Sequence, residues 1–240
     1  MKKIYILLLL LPLCFPIQAQ RILEIRDKAF NWGGKVGFNS TFPIINSLTI
    51  SDKPAENVRL QYKVGYMAAA FARVNIERFF IQPSLSWRYS QGDIRFDIQQ
   101  SNNFNDPTGE SSVKSKNQIE YKTGSLELPV MVGYYLVREA PYALSFMVGP
   151  NIRYTYKSNY TANLTETLHE YKSDSTPFGI SIATGLGVSI WRLFFDFTYE
   201  FGLNQVESGF KEKNSNLPAE NNMIIDKRTN TMSFSLGFLF

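Results

Sequence analysis

The last twelve residues alternate in character, and this constrains the fold more than any other feature of the chain. Met232, Phe234, Leu236, Phe238 and Phe240 share one parity, while Thr231, Ser233, Ser235 and Gly237 share the other. Successive side chains of a β-strand point to opposite sides, so period two predicts a strand with one bulky apolar face and one small polar face. The pattern runs to the final residue. A soluble fold would rarely finish on an exposed Phe-Leu-Phe, whereas a last strand that faces lipid typically ends on an aromatic residue.

The same alternation recurs upstream. In 192–204, Leu193, Phe195, Phe197, Tyr199, Phe201 and Leu203 oppose Arg192, Asp196, Thr198, Glu200 and Asn204. In 178–190, Phe178, Ile180, Ile182, Leu186, Val188 and Ile190 oppose Gly179, Ser181, Ala183, Gly185, Gly187 and Ser189. Segments 142–156, 126–136, 79–89 and 31–41 behave alike, and 62–74 is a weaker, alanine-rich case. A soluble ligand-binding barrel would turn its apolar side inward, and a solvent face of glycine, alanine and serine would be odd there. Inside a narrow barrel such residues make room for neighbours. The bulky face is therefore expected to meet lipid and the small or charged face the lumen.

The predicted fold is all-β, an antiparallel transmembrane β-barrel of about eight strands. Long polar segments (42–61, 91–120, 158–175, 206–228) alternate with tight turns near Asn75-Ile76-Glu77, Glu139-Ala140 and Trp191. The turns are expected to be periplasmic and the long segments extracellular loops. Outward Tyr66, Trp87, Tyr89, Tyr154, Tyr156 and Tyr199 on the loop side, and Trp32, Phe79, Tyr142, Phe238 and Phe240 on the turn side, read as interfacial girdles. Pro83, Pro129 and Pro150 lie inside proposed strands, so a bulge or break is expected at each.

The N-terminus indicates export. Lys2 and Lys3 precede an apolar run, 4–13, too short to span a bilayer, and Ala19 offers a small residue before a cleavage point. The expected organisation is a signal peptide, 1–19, a periplasmic lead-in, 20–30, and a barrel domain, 31–240, in the outer membrane of a diderm bacterium. Lipidation at Cys14 is the rival reading, weakened by the bulky Leu13 before it. If Cys14 leaves with the peptide, no thiol remains, which excludes disulfides and thiolate chemistry. The formal charge of +4 falls to +2 without Lys2 and Lys3 and is not clustered, so nucleic acid is not an expected partner. No apolar stretch after the signal is long enough for a membrane helix.

Inward parity nominates Lys35, Lys63, Arg73, Arg88, Glu127, Arg153, Arg192, Asp196 and Glu200 as lumen residues. Confined charges must be paired or hydrated, and a set of both signs can cross-link into a plug. An eight-strand barrel is only just wide enough for its own side chains, which favours a structural network over a conducting pore. Asp196 and Glu200, four apart on one strand face, are too distant to share a proton. The single histidine, His169, is expected in a solvated loop that no strand fixes, with Glu166, Glu170 and Asp174 near it. No catalytic residue, metal site or cofactor is therefore predicted, and the chain is not expected to be an enzyme.

The chain resembles the PorT-type outer-membrane β-barrel proteins of the Bacteroidota. The likeness rests on Trp32-Gly33-Gly34-Lys35-Val36-Gly37-Phe38-Asn39, Leu126-Glu127-Leu128-Pro129-Val130, Gly149-Pro150, Tyr199-Glu200-Phe201-Gly202-Leu203-Asn204 and Leu236-Gly237-Phe238-Leu239-Phe240. It covers nearly all of the mature chain and implies the barrel, with Pro129 and Pro150 as family features. It also implies an accessory role in type IX-like protein secretion. The residues themselves favour a barrel acting through its long loops in envelope integrity, adhesion or docking of other envelope proteins. A narrow pore and a lipid-modifying or proteolytic enzyme are the remaining alternatives. Expected partners are outer-membrane lipid, other envelope proteins, and the barrel-assembly machinery, which would read Phe234, Leu236, Phe238 and Phe240 on the last strand.

Overall fold

The computed structural model describes residues 28–50, 53–98, 117–164, 167–173, 178–204, 206–212 and 223–240. The signal segment, most of the lead-in, Glu166 and Asp174 lie outside these. Eleven strands follow in order: β1 (Phe30–Ile50), β2 (Lys53–Tyr62), β3 (Val64–Ile76), β4 (Phe79–Ile98), β5 (Asn117–Glu139), β6 (Tyr142–Leu164), β7 (Thr167–Ser173), β8 (Phe178–Ile190), β9 (Leu193–Gly202), β10 (Val206–Glu212) and β11 (Met223–Leu239).

Eight of them, β1, β3, β4, β5, β6, β8, β9 and β11, form an antiparallel ring that β11 closes by pairing along β1. Their outward side chains are the bulky ones. Phe38 is 63% exposed and Leu85 55%, while the inward Asn39 is 3% and Ser86 2% exposed. A band of bare apolar groups around a polar interior is stable only where lipid covers it. The ring is joined by tight turns at 77–78, 140–141 and 191–192. Glu77 and Trp191 take the left-handed φ values of 53° and 56° that such reversals demand.

The expected long loops are corrected by the structure. β1, β4, β5, β6 and β11 run well into 42–61, 91–120, 158–175 and 206–228, and β2, β7 and β10 form there as well. Pairing of β2 with β1 and β4, and of β7 and β10 with each other and with β6 and β11, makes a second ring above the first. The two rings share five strands. The reason is visible along β4. Its outward residues change from Ile81, Leu85 and Trp87 to Gln91, Arg95 and Asp97, while its inward residues change from Gln82, Ser86 and Arg88 to Ile94 and Phe96. Period two persists, but with opposite sign, because water replaces lipid outside. Leu48, Ile94, Phe96, Ile119, Tyr121 and Tyr160 then fill the upper ring as an ordinary apolar core.

The prolines sit where the ladder lapses. β3 and β4 pair at Phe71 with Ser84 and again at Val74 with Ile81, skipping the residues around Pro83. The β4/β5 ladder skips from Pro83 with Val130 to Ser86 with Glu127, beside Pro129. The β5/β6 ladder skips from Pro129 with Asn151 to Val132 with Val148, beside Pro150. An imide nitrogen has no hydrogen to donate.

On the outer wall at the upper girdle, Trp87 Nε1 donates to the Tyr156 hydroxyl at 2.7 Å, and Tyr66 stacks on Tyr89 with ring centroids 5.5 Å apart. Trp87→Phe keeps the ring but loses the donor. It is expected to cost about 0.5–1.5 kcal/mol in urea unfolding from detergent micelles.

Candidate functional site

The lumen is layered. At the turn end two apolar clusters lie in the lumen, Phe80, Met131, Tyr135 and Met147 in one and Phe71, Phe194 and Leu239 in the other. They fit because glycine faces them: a Cβ at Gly133 would collide with the Phe80 ring, and one at Gly237 with that of Phe194. Arg73 is embedded in this layer. Its Nε and Nη2 donate to Gln82 Oε1 at 2.8 and 2.6 Å, and its guanidinium carbon lies 4.5 Å from the Phe80 ring centre. Tyr135 accepts from Nη1 at 3.4 Å. Ring faces and a neutral amide thus stand in for a carboxylate. The cavity beneath Arg73, lined also by Asn31, Ser189 and Trp191, is no larger than a water molecule.

Above it lies the charged layer. Arg88 on β4 reaches across to Glu200 on β9, with Nη1 at 3.0 Å from Oε2, and its Nη2 contacts both Glu200 and Glu127. Arg153 on β6 donates from Nε to Glu127 Oε1 at 2.6 Å and from Nη2 to Glu200 Oε2 at 2.9 Å. Asn151 adds a hydrogen bond to Glu200 at 3.1 Å, and Ser125 one to Glu127 at 3.3 Å. Two arginines and two glutamates therefore balance in charge and tie together β4, β5, β6 and β9. Lys35 on β1 pairs with Asp196 on β9 at 3.1 Å. Arg192 sits in the β8/β9 turn and forms no ion pair among the described residues.

Two expectations about single residues change. Lys63 is not a lumen residue, because it falls at the break between β2 and β3. It pairs instead with Asp93 at 2.7 Å and Glu120 at 3.3 Å. Those two are register partners on the parity opposite to Ile94 and Ile119, so the cluster faces outward. Hydrogen bonding from Lys122, and then from Lys63, holds the Glu120 carboxyl below its ordinary range, and the Asp93 contact pushes the Lys63 ammonium up. His169 is fixed by a strand after all, lying in β7 with Ala162 as its register partner.

The charged set nominated from the sequence leaves out its uncharged partners Gln82, Asn151 and Tyr135, although the alternation already turns Gln82 and Asn151 inward. Their signal was present, since each shares the inward parity of a charged neighbour on its strand. Both buried glutamates are engaged by arginines, so neither is free to act as a base. Among the described residues no three histidine, cysteine, aspartate or glutamate side chains converge to hold a metal.

A closed antiparallel ring with a lipid-type outer band, a polar lumen and tight turns at one end defines a transmembrane β-barrel of the bacterial outer membrane. The chain belongs to the family described as outer membrane protein beta-barrel domain, whose profile matches residues 18–208. Among solved structures it is similar to the outer membrane protein OprG from Pseudomonas aeruginosa, with 11% identity, coverage of 89% of this chain and 97% of that one, and a TM-score of 0.55. It is also similar to a major outer membrane protein from Thermus thermophilus, at 7% identity over 87% and 99% of the two chains and a TM-score of 0.46. For Ail, the attachment invasion locus protein of Yersinia pestis, the identity is 11%, the coverage 89% and 100%, and the TM-score 0.38. At such identities the OprG likeness speaks for the fold alone. A comparison with curated proteins gives no match.

Proposed function

We propose that this barrel is a non-enzymatic, non-conducting outer-membrane protein that acts through its extracellular extension in envelope integrity, adhesion or the docking of other envelope proteins. The observation that carries this reading is the Arg88, Glu127, Arg153 and Glu200 quartet, set between two apolar layers. An ion crossing the lumen would have to break that quartet and then leave water twice. The lumen charges serve as a structural plug, and the upper ring, with its own core and a polar outer wall, is a rigid platform rather than a set of free loops. The exposed Phe234, Leu236, Phe238 and Phe240 on the last strand supply the edge that barrel-assembly machinery reads.

The test has two readouts. Purified barrel in planar bilayers is expected to show no unitary current steps. A photoreactive residue at the exposed Gln61 or Asn159 is expected to cross-link to another envelope component in intact cells. Current steps, or a wall that cross-links to nothing, would overturn the proposal.

A further inference from the structure

The outer wall of the upper ring carries an arrangement that the fold does not explain. Arg59 on β2 and Arg95 on β4 are direct register partners. Both are exposed, and both lie on the outward parity, since their neighbours Leu60 and Ile94 belong to the inner core. Like charges facing each other across a ladder destabilise it. Neither arginine has an ion-pair partner among the described residues. Asp93 is held by Lys63, Glu120 by Lys63 and Lys122, and Asp97 accepts from Asn57 at 3.2 Å.

The basic surface continues diagonally down the same wall. Lys122 on β5 is exposed and lies opposite Gln91 on one side and Asn159 on the other. Lys157 on β6 follows Tyr156 at a bulge, where Ser125 pairs with Thr155 and Gly124 with Lys157. The extra residue turns Lys157 outward beside Tyr156, and both are exposed. The stripe therefore starts at the aromatic girdle of Trp87, Tyr89, Tyr154 and Tyr156 and climbs to Arg95, six residues beyond Tyr89 on β4. With ordinary strand rise and tilt, that climb is roughly 15 Å. It matches the headgroup zone directly above the hydrocarbon edge.

We infer that this wall, over β2, β4, β5 and β6, is a binding site for the anionic headgroup of an outer-leaflet glycolipid, whose phosphate groups bridge Arg59 and Arg95 and whose acyl chains lie on the aromatic girdle. Paired guanidinium groups match phosphate oxygens in geometry as well as charge. A phosphate between Arg59 and Arg95 turns a repulsive cross-strand pair into an attractive one. Lys157 and Lys122 meet the same molecule closer to the hydrocarbon edge.

The test is native mass spectrometry of the full barrel released from micelles containing diphosphorylated lipid A or phosphatidylcholine. The comparison is with a variant carrying Arg59→Gln, Arg95→Gln and Lys157→Gln. All three side chains are exposed, so the variant is expected to fold, which its gel mobility before and after boiling verifies. The native barrel should retain lipid A and not phosphatidylcholine. Each cation near an anionic surface contributes about fivefold in binding, so the triple variant should retain lipid A roughly a hundredfold more weakly. Equal retention by the folded variant and the native barrel would overturn the inference. Displacement of lipid A by millimolar inorganic phosphate would also overturn it, because the site would then take the free anion.

Discussion

Glu200→Ala is expected to destabilise the folded barrel by about 3–5 kcal/mol, because it leaves the buried Arg88 and the half-buried Arg153 sharing one carboxylate. Glu200 is 4% exposed and accepts from Arg88, Arg153 and Asn151. Without it, Glu127 alone must neutralise both guanidinium groups, and Asn151 loses its stronger acceptor. The loss belongs to the unpaired charge rather than to the deleted contacts. A second variant separates the two: Arg88→Met combined with Glu200→Leu removes one charge of each sign and leaves Arg153 with Glu127. That pair should recover most of the lost stability. Urea midpoints of the heat-modifiable gel band measure both proteins. A double variant no better than Glu200→Ala would show that the network matters for its hydrogen bonds and not for its charge balance.

Phe80→Ala is the second large effect, with an expected cost of about 3–5 kcal/mol from the cavity it opens. Phe80 is fully buried and packs on Tyr135 at 5.0 Å between ring centres. It also provides the nearest ring face to the Arg73 guanidinium. The neighbouring wall cannot close the gap, because Gly133, whose absent side chain admits the Phe80 ring, has nothing to extend into the space. Restoring volume from the other side, with Gly133→Leu added to Phe80→Ala, should regain part of the cost. Gly133→Leu alone should be strongly destabilising, since its side chain would meet the intact ring. Unfolding midpoints that rank the three variants differently would sink this account of the lower layer.

The membrane ring could be read from the sequence because lipid outside and a crowded polar lumen inside give period two its largest contrast. Phe178 to Ile190 and Leu193 to Gly202 appear nearly to the residue. The upper ring was hidden for the opposite reason. Around Arg95 and Lys122 the outward residues are polar, as in any loop, and the inward Ile94 and Ile119 are too few and too spaced to stand out. Only the continuation of parity from Trp87 through Phe96 links them to the strand below. Lys63 was misassigned because parity counting assumes an unbroken strand, and the strand breaks at that residue. The arginine and glutamate partners were legible as a set but not as pairs, since Arg88 and Glu200 are 112 residues apart and nothing local encodes their meeting.

The pairing of β11 with β1 runs from Gly33 opposite Leu239 to Ile50 opposite Met223, through both rings. Neither ring can therefore close until β11 has arrived. Up to that moment the growing sheet has two open edges, and Val36 and Phe38 have Ala68 and Tyr66 beside them on β3 but nothing on the side that β11 will take. Such an edge is a template for aggregation. Closure must wait for β11, with roughly two hundred residues separating the strands that meet last. The seam that makes the finished barrel edgeless is also what leaves both edges of the sheet open until its last strand is in place.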